Sequence, residues 1–179
     1  MTRNRDYFMR TARLGFRHWS ENDLPLAVAL WGDPEVTKLI GGPFSEDVVK
    51  KKLAAEMNSM AHSKVQYWPL FLLDDDEHVG CGGLRPYRPG EQIYEMGFHL
   101  RPAYWGRGLA EEAGRTIIGF AFERLGAKGL FAGHHPANAA SRRVLEKLGF
   151  RFTHEEFYPP TSAKHPSYLL MRPERPLMP

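Results

Sequence analysis

A single cysteine, Cys81, cannot close an intramolecular disulfide, so nothing in the 179 residues argues for an oxidising compartment. No apolar run approaches the roughly 18 to 20 residues that cross a bilayer, and the opening stretch MTRNRDYFMRTARL lacks the apolar centre of a signal peptide. Basic residues form no run either. The net charge of +3 is small and scattered along the chain, which excludes nucleic acid as a default partner. The eight histidines contain one adjacent pair, His134 and His135, with no Cys or acidic residue at ligand spacing beside it, and no metal is expected. Internal repeats, low-complexity tracts and a linker are also missing. These absences leave a cytoplasmic protein with no membrane segment.

What is present is ordinary for a globular protein: 42% hydrophobic and 25% charged residues. The length suits one core and not two. A single domain over residues 1–179 is expected, its core spanning about 12–172, with a loose tail at 173–179 carrying Pro173, Pro176 and Pro179. Alternation of bulky and polar residues predicts strands at 14–19, 67–73, 79–85, 93–100, 128–133, 150–157 and 167–171. Gly97, inside the fourth of these, suggests a bulge. Helical periodicity and caps predict helices at 24–32, from Ser45 to about Met60, from about Gly108 to Leu125 and at 138–148. Hairpins come first, and strand and helix alternate later. That order predicts a three-layer α/β (α+β) domain on one mixed, largely antiparallel sheet of six to seven strands, with helices on both faces.

The stretch Tyr104–Ala110, YWGRGLA, follows a predicted strand and opens a predicted helix. Gly106 and Gly108 allow a tight turn whose N–H groups converge on an anion, the helix N-terminus adds about half a positive charge, and Arg107 can add a donor at the rim. The plain alternative is a glycine-rich turn. A dinucleotide fingerprint needs glycine where Glu111 stands, and a Walker loop needs a Gly-Lys-Ser/Thr ending that is absent.

Several blocks together resemble the GNAT superfamily, and within it the ribosomal-protein alanine N-acetyltransferase (RimJ/RimL-like) type. They are DPEVTKLI from Asp33 with Gly41, Gly42 and Pro43 after it, YEMGFHL from Tyr94, YWGRGLAEEA from Tyr104 and NAASRRVLEKLGF from Asn138. The resemblance covers most of the chain. It implies a sheet in which the strand 94–100 splays from 128–133 to admit coenzyme A, and transfer of acetyl from acetyl-CoA to a primary amine by direct attack in a ternary complex. It places the pyrophosphate on the backbone of Trp105, Gly106, Arg107, Gly108, Leu109 and Ala110, and the pantetheine arm along Phe98 to Leu100. Asn138 and Ser141 approach that arm from the other side, or simply cap and fill their helix. The acceptor is a protein N-terminal α-amine or a small-molecule amine, met by the segments 31–43 and 157–168. A homodimer is compatible with the resemblance.

Amine attack on a thioester needs a free lone pair, so a base is useful. Glu95 is the first candidate and His99, on the same face by strand alternation, the second. A structural carboxylate is the competing reading of Glu95. Where related enzymes carry a tyrosine acid, this chain has Leu145. That departure keeps open a non-catalytic acyl-CoA-binding regulatory module.

Overall fold

The computed structural model describes residues 6–174. Its centre is an eight-stranded sheet in the order β1-β2-β3-β4-β5-β6-β8-β7. The strands are β1 (Met9–Arg10), β2 (Leu14–Phe16), β3 (Tyr67–Leu72), β4 (His78–Arg88), β5 (Ile93–Leu100), β6 (Gly129–Gly133), β7 (Arg151–Tyr158) and β8 (Ala163–Met171). Every pair is antiparallel except β5 with β6. The strand count exceeds the six to seven expected, because the two-residue β1 is too short to leave a periodic signal. The expected tail beyond residue 174 lies outside the described residues.

Five helices pack on the sheet: α1 (Leu24–Trp31), α2 (Pro34–Thr37), α3 (Glu46–Ser63), α4 (Leu109–Glu123) and α5 (Ala139–Lys147). On one face Leu109, Ala113 and Ile117 of α4, Leu145 of α5 and Leu148 just after it bury against Leu84, Met96, Leu100 and Leu130. On the other, Ala27, Leu30 and Trp31 of α1 and Val49 and Leu53 of α3 bury against Tyr67 and Cys81. The chain is therefore three layers thick. Ser45 caps α3 by accepting from the Val48 N–H, as its sequence position implies.

Gly97 carries no bulge, contrary to expectation. It pairs in register with Gly83, and the irregularity of β4 with β5 falls instead between Pro86 and Arg88. Gly97 is small for a steric reason: a Cβ there would lie 2.2 Å from the Tyr67 hydroxyl oxygen. β4 runs past the expected 79–85 as far as Arg88, so only Pro89–Glu91 turn before β5.

Candidate functional site

The two parallel strands stay together only at Ile93↔Gly129, Tyr94↔Leu130 and Glu95↔Phe131. Beyond Glu95 they part, while β4 holds β5 as far as Leu100 and β8 holds β6 as far as Gly133. The result is a cleft that widens towards the carboxyl ends of both strands. The chain leaves β5 into α4 and leaves β6 into α5, so both helices begin at that open end. Along β5 alternate residues point to opposite faces. Half of the main-chain groups of residues 96–100 are aimed at the side where β6 has departed.

The loop before α4 is built to leave amides free. Gly106 (φ 71°) and Gly108 (φ 74°) both lie in the left-handed region, where other residues cost about 1–2 kcal/mol. Gly108 is the N-cap and brings no side-chain acceptor, so the first N–H groups of α4 have no side-chain cap among the described residues. A Cβ at Gly106 would meet nothing within 4 Å, so the loop is open at that glycine. Two contacts hold the loop in place. Trp105 Nε1 donates to the Leu100 carbonyl at 2.7 Å, and Arg13 donates to the Arg107 carbonyl at 3.0 Å while binding Glu112 of α4. Arg107 is exposed, Leu109 is buried beneath the loop and Ala110 is half-buried.

On the α1–α3 face Glu95, Gly97 and His99 form a row. Tyr67 lies across Gly97, donates its hydroxyl to Glu95 Oε1 at 3.1 Å and meets the His99 ring edge-on at 5.8 Å. Burial, and then the charge of Glu95, raise the Tyr67 pKa well above the usual phenol range, so it stays a donor. Arg85, opposite Glu95 in the ladder, stacks on the Tyr67 ring at 3.9 Å and pairs with buried Glu56 of α3. Glu56 also accepts from the Tyr67 N–H at 2.8 Å. His99 Nδ1 accepts from Trp31 Nε1 at 3.1 Å. Desolvation first, then the charges of Arg85 and Lys52, lower the His99 pKa to about 3. The ring is therefore neutral near pH 7, its Nδ1 lone pair already engaged. Burial pushes the neighbouring Cys81 thiol far up, which keeps it protonated.

The tip of the β7–β8 hairpin closes this face. A Cβ at Gly41 would lie 2.9 Å from Pro160, so the loop after α2 and the hairpin tip touch. Burial, and then the charge of Glu95, raise the Tyr158 pKa. The segments 31–43 and 157–168 thus meet over the row that holds Glu95.

Sequence reasoning missed Glu56, Arg85, Tyr67 and Lys52. One signal was available: Glu56 continues the buried stripe of Val49 and Leu53 on α3, and a carboxylate on an apolar stripe must have buried partners. On the β6 side, Asn138 caps α5 by accepting from the Ser141 N–H at 3.0 Å, which leaves its side-chain NH₂ available. Phe98 packs partly buried against the α4 layer. Leu145 is buried in that layer with no polar atom to offer. His134 is buried and His135 half-buried just beyond β6. His134 donates from Nδ1 to the His135 carbonyl at 2.8 Å, which leaves Nε2 to accept from the Tyr168 hydroxyl at 3.3 Å.

A separate recess lined by Arg17, Asp23, His78 and Arg101 takes no part in the cleft. Among the described residues no group of three or more His, Cys, Asp or Glu is placed to hold a metal ion, and no helix is long and apolar enough to cross a membrane.

Residues 13–151 match the family described as acetyltransferase (GNAT) domain. The uncharacterized N-acetyltransferase YnaD of Bacillus subtilis is 30% identical over 142 residues, 79% of this chain and 81% of that protein. The FsC-acetyl coenzyme A-N(2)-transacetylase of Aspergillus fumigatus is 31% identical over 159 residues, 84% of this chain and 66% of that protein. The RimL ribosomal α-N-protein acetyltransferase, solved in complex with coenzyme A, has a TM-score of 0.78 at 15% identity, over 90% of this chain and 95% of that one, a likeness of fold. The parted parallel strands and the glycine-capped helix at their open end therefore belong to an acetyltransferase, and this chain is a member of the GNAT family.

Proposed function

We propose that the protein transfers acetyl from acetyl-CoA to a primary amine, by direct attack within a ternary complex. The observation that carries this reading is the N-terminus of α4: two left-handed glycines, no side-chain cap and a loop open at Gly106, at the end of the sheet where β5 and β6 part. Two similar proteins, an acetyl coenzyme A transacetylase and an acetyltransferase solved with coenzyme A, support the donor.

Acetyl-CoA supplies an acyl group already activated as a thioester. The amides of Trp105 to Ala110 bind the pyrophosphate, and Arg107 adds charge at the rim. Residues Phe98 to Leu100 offer main-chain groups to the pantetheine arm, and the free NH₂ of Asn138 and the Ser141 hydroxyl face it from α5. Glu95 takes the proton of the attacking amine, directly or through one water, with Tyr67 fixing the orientation of its carboxylate. His99 is a positioning group, because an imidazole that titrates near pH 3 and already accepts from Trp31 is a poor base at neutral pH. With Leu145 in the core, no tyrosine of α5 supplies an acid, and placement of the two reactants carries more of the rate.

The test is amine-dependent release of thiol from acetyl-CoA. Gly108→Val puts a β-branched residue at φ 74° and a side chain in front of the α4 amides. It is expected to raise KM for acetyl-CoA at least tenfold with KM for the amine little changed. An unchanged KM for acetyl-CoA would remove the pyrophosphate from this loop.

A further inference from the structure

Lys52 is a cation that the proposed chemistry leaves unused. It precedes Glu56 by four residues, about 6 Å along α3, and so shares its face of the helix. Glu56 is committed to Arg85 and to the Tyr67 amide, and Lys50 pairs with Glu46 at 2.9 Å. Among the described residues no carboxylate lies within ion-pair distance of Lys52; its ammonium rests over the Phe44 ring at 4.5 Å. It is half-buried, and its pKa is lowered first by desolvation and then by the charge of Arg85. An unpaired lysine in water is unremarkable, but this one, half-buried beside an arginine, has lost hydration and gained the neutral Phe44 ring, with no anionic partner among the described residues.

Charge accounting assigns that partner. Glu56 and Arg85 cancel, which leaves Glu95 as one anion and Lys52 as one cation on the same wall, under the hairpin tip that meets the 41–43 loop. We infer that Lys52 receives a carboxylate of the acyl acceptor, so that the acceptor is an amine that also carries a carboxylate, an amino acid or an acidic amine. The ammonium lies at Glu95 before its proton is lost, and the carboxylate lies at Lys52. A diamine or polyamine would instead bring its second ammonium against Lys52 and Arg85. The inference rests on the amine acetylation proposed above and narrows its acceptor.

The test uses matched pairs: α-amino acids, β-alanine and 4-aminobutyrate, each beside its amide, with diamines as a third group. Thiol release from acetyl-CoA is expected to be at least tenfold more efficient, in kcat/KM, for the best acid than for its amide or for any diamine. Calorimetry of the corresponding N-acetyl amino acid and N-acetyl amide against the coenzyme A-loaded protein should show the same preference. Lys52→Met should lower the acid to the level of its amide and leave the amide unchanged, whereas Lys52→Arg should keep the preference. Thiol release that is as efficient with amides or diamines as with acids overturns the inference and leaves the proposed function standing, as does a Lys52→Met that weakens acid and amide alike. No thiol release with any of the three groups overturns the inference, and if a peptide N-terminal α-amine also releases none, the proposed function falls with it.

Discussion

Met96 and Leu100 of β5 lie with Leu109 and Ile117 of α4 in one hydrophobic cluster, whereas Glu95 and His99, one residue away, meet Tyr67, Arg85 and Trp31 on the opposite face. The same eight-residue strand is a core element on one side and a chemical surface on the other. Strand alternation makes this possible, because neighbouring residues project about 180° apart and share almost no contacts. The two faces should therefore respond to substitution in different observables: stability on the α4 side, turnover on the α1–α3 side.

The largest expected effect tests the chemical side. Glu95→Gln keeps an oxygen that accepts from Tyr67 and removes only the ability to take a proton. kcat should fall about 10²- to 10⁴-fold, the usual contribution of a general base, with the melting temperature nearly unchanged. Activity at the wild-type level would reduce Glu95 to a structural carboxylate and erase the contrast between the faces. The next effect tests the other side. Ile117 is fully buried, and Ile117→Ala should cost about 2–5 kcal/mol of unfolding free energy, read from urea melts, while the folded fraction keeps its kcat within a few-fold.

The α4 side was legible in the sequence because hydrophobic periodicity reports burial: Leu109, Ala113 and Ile117 fell on one stripe and proved to be core. The glycine loop was equally legible, since the residue types that permit its backbone are few. The α1–α3 side was not. Its members come from α1, α3, β3, β4 and β5, up to 68 residues apart in the case of Trp31 and His99, and their pairing is made only by the fold. Glu95 and His99 could be named from alternation alone, but alternation cannot say that His99 faces an indole N–H and two cations. The misread bulge at Gly97 has the same origin: the Tyr67 ring that requires glycine there sits on another strand.

A smaller effect sharpens the contrast through pH. His99 on the chemical face and His78 beside Trp19 and Phe71 have folded pKa values near 3 and 4, below the unfolded value of 6.5. Between those values the unfolded chain binds more protons, so stability is fully present above pH 6.5 and is lost as pH falls towards 4. The slope is at most about 1.4 kcal/mol per pH unit for each histidine that remains neutral in the fold. His78, which is buried with no hydrogen-bond partner on either ring nitrogen among the described residues, should approach that limit; His99, half-buried at the cleft, should fall short of it. Thermal melts from pH 7 to pH 4 should show the decline, and His78→Gln should flatten it more than His99→Gln. A flat wild-type profile would mean that neither ring is held neutral.

The smallest expected effect separates the two candidate roles of His99. Trp31→Phe keeps the ring and removes the N–H that donates to His99 Nδ1. The lost hydrogen bond should cost about 0.5–1.5 kcal/mol of stability. A donor aimed at Nδ1 favours the unprotonated imidazole, so its removal raises the His99 pKa from about 3 towards the ordinary value. A positioning His99 is then expected to leave kcat at pH 7 within a few-fold of wild type, because the ring is still neutral there. The acidic limb of the pH profile should move upward as a cation forms beside Arg85 and Lys52. If His99 were instead the base, a better proton acceptor would raise kcat at neutral pH. The direction of that one change decides whether proton transfer on this face belongs to Glu95 alone.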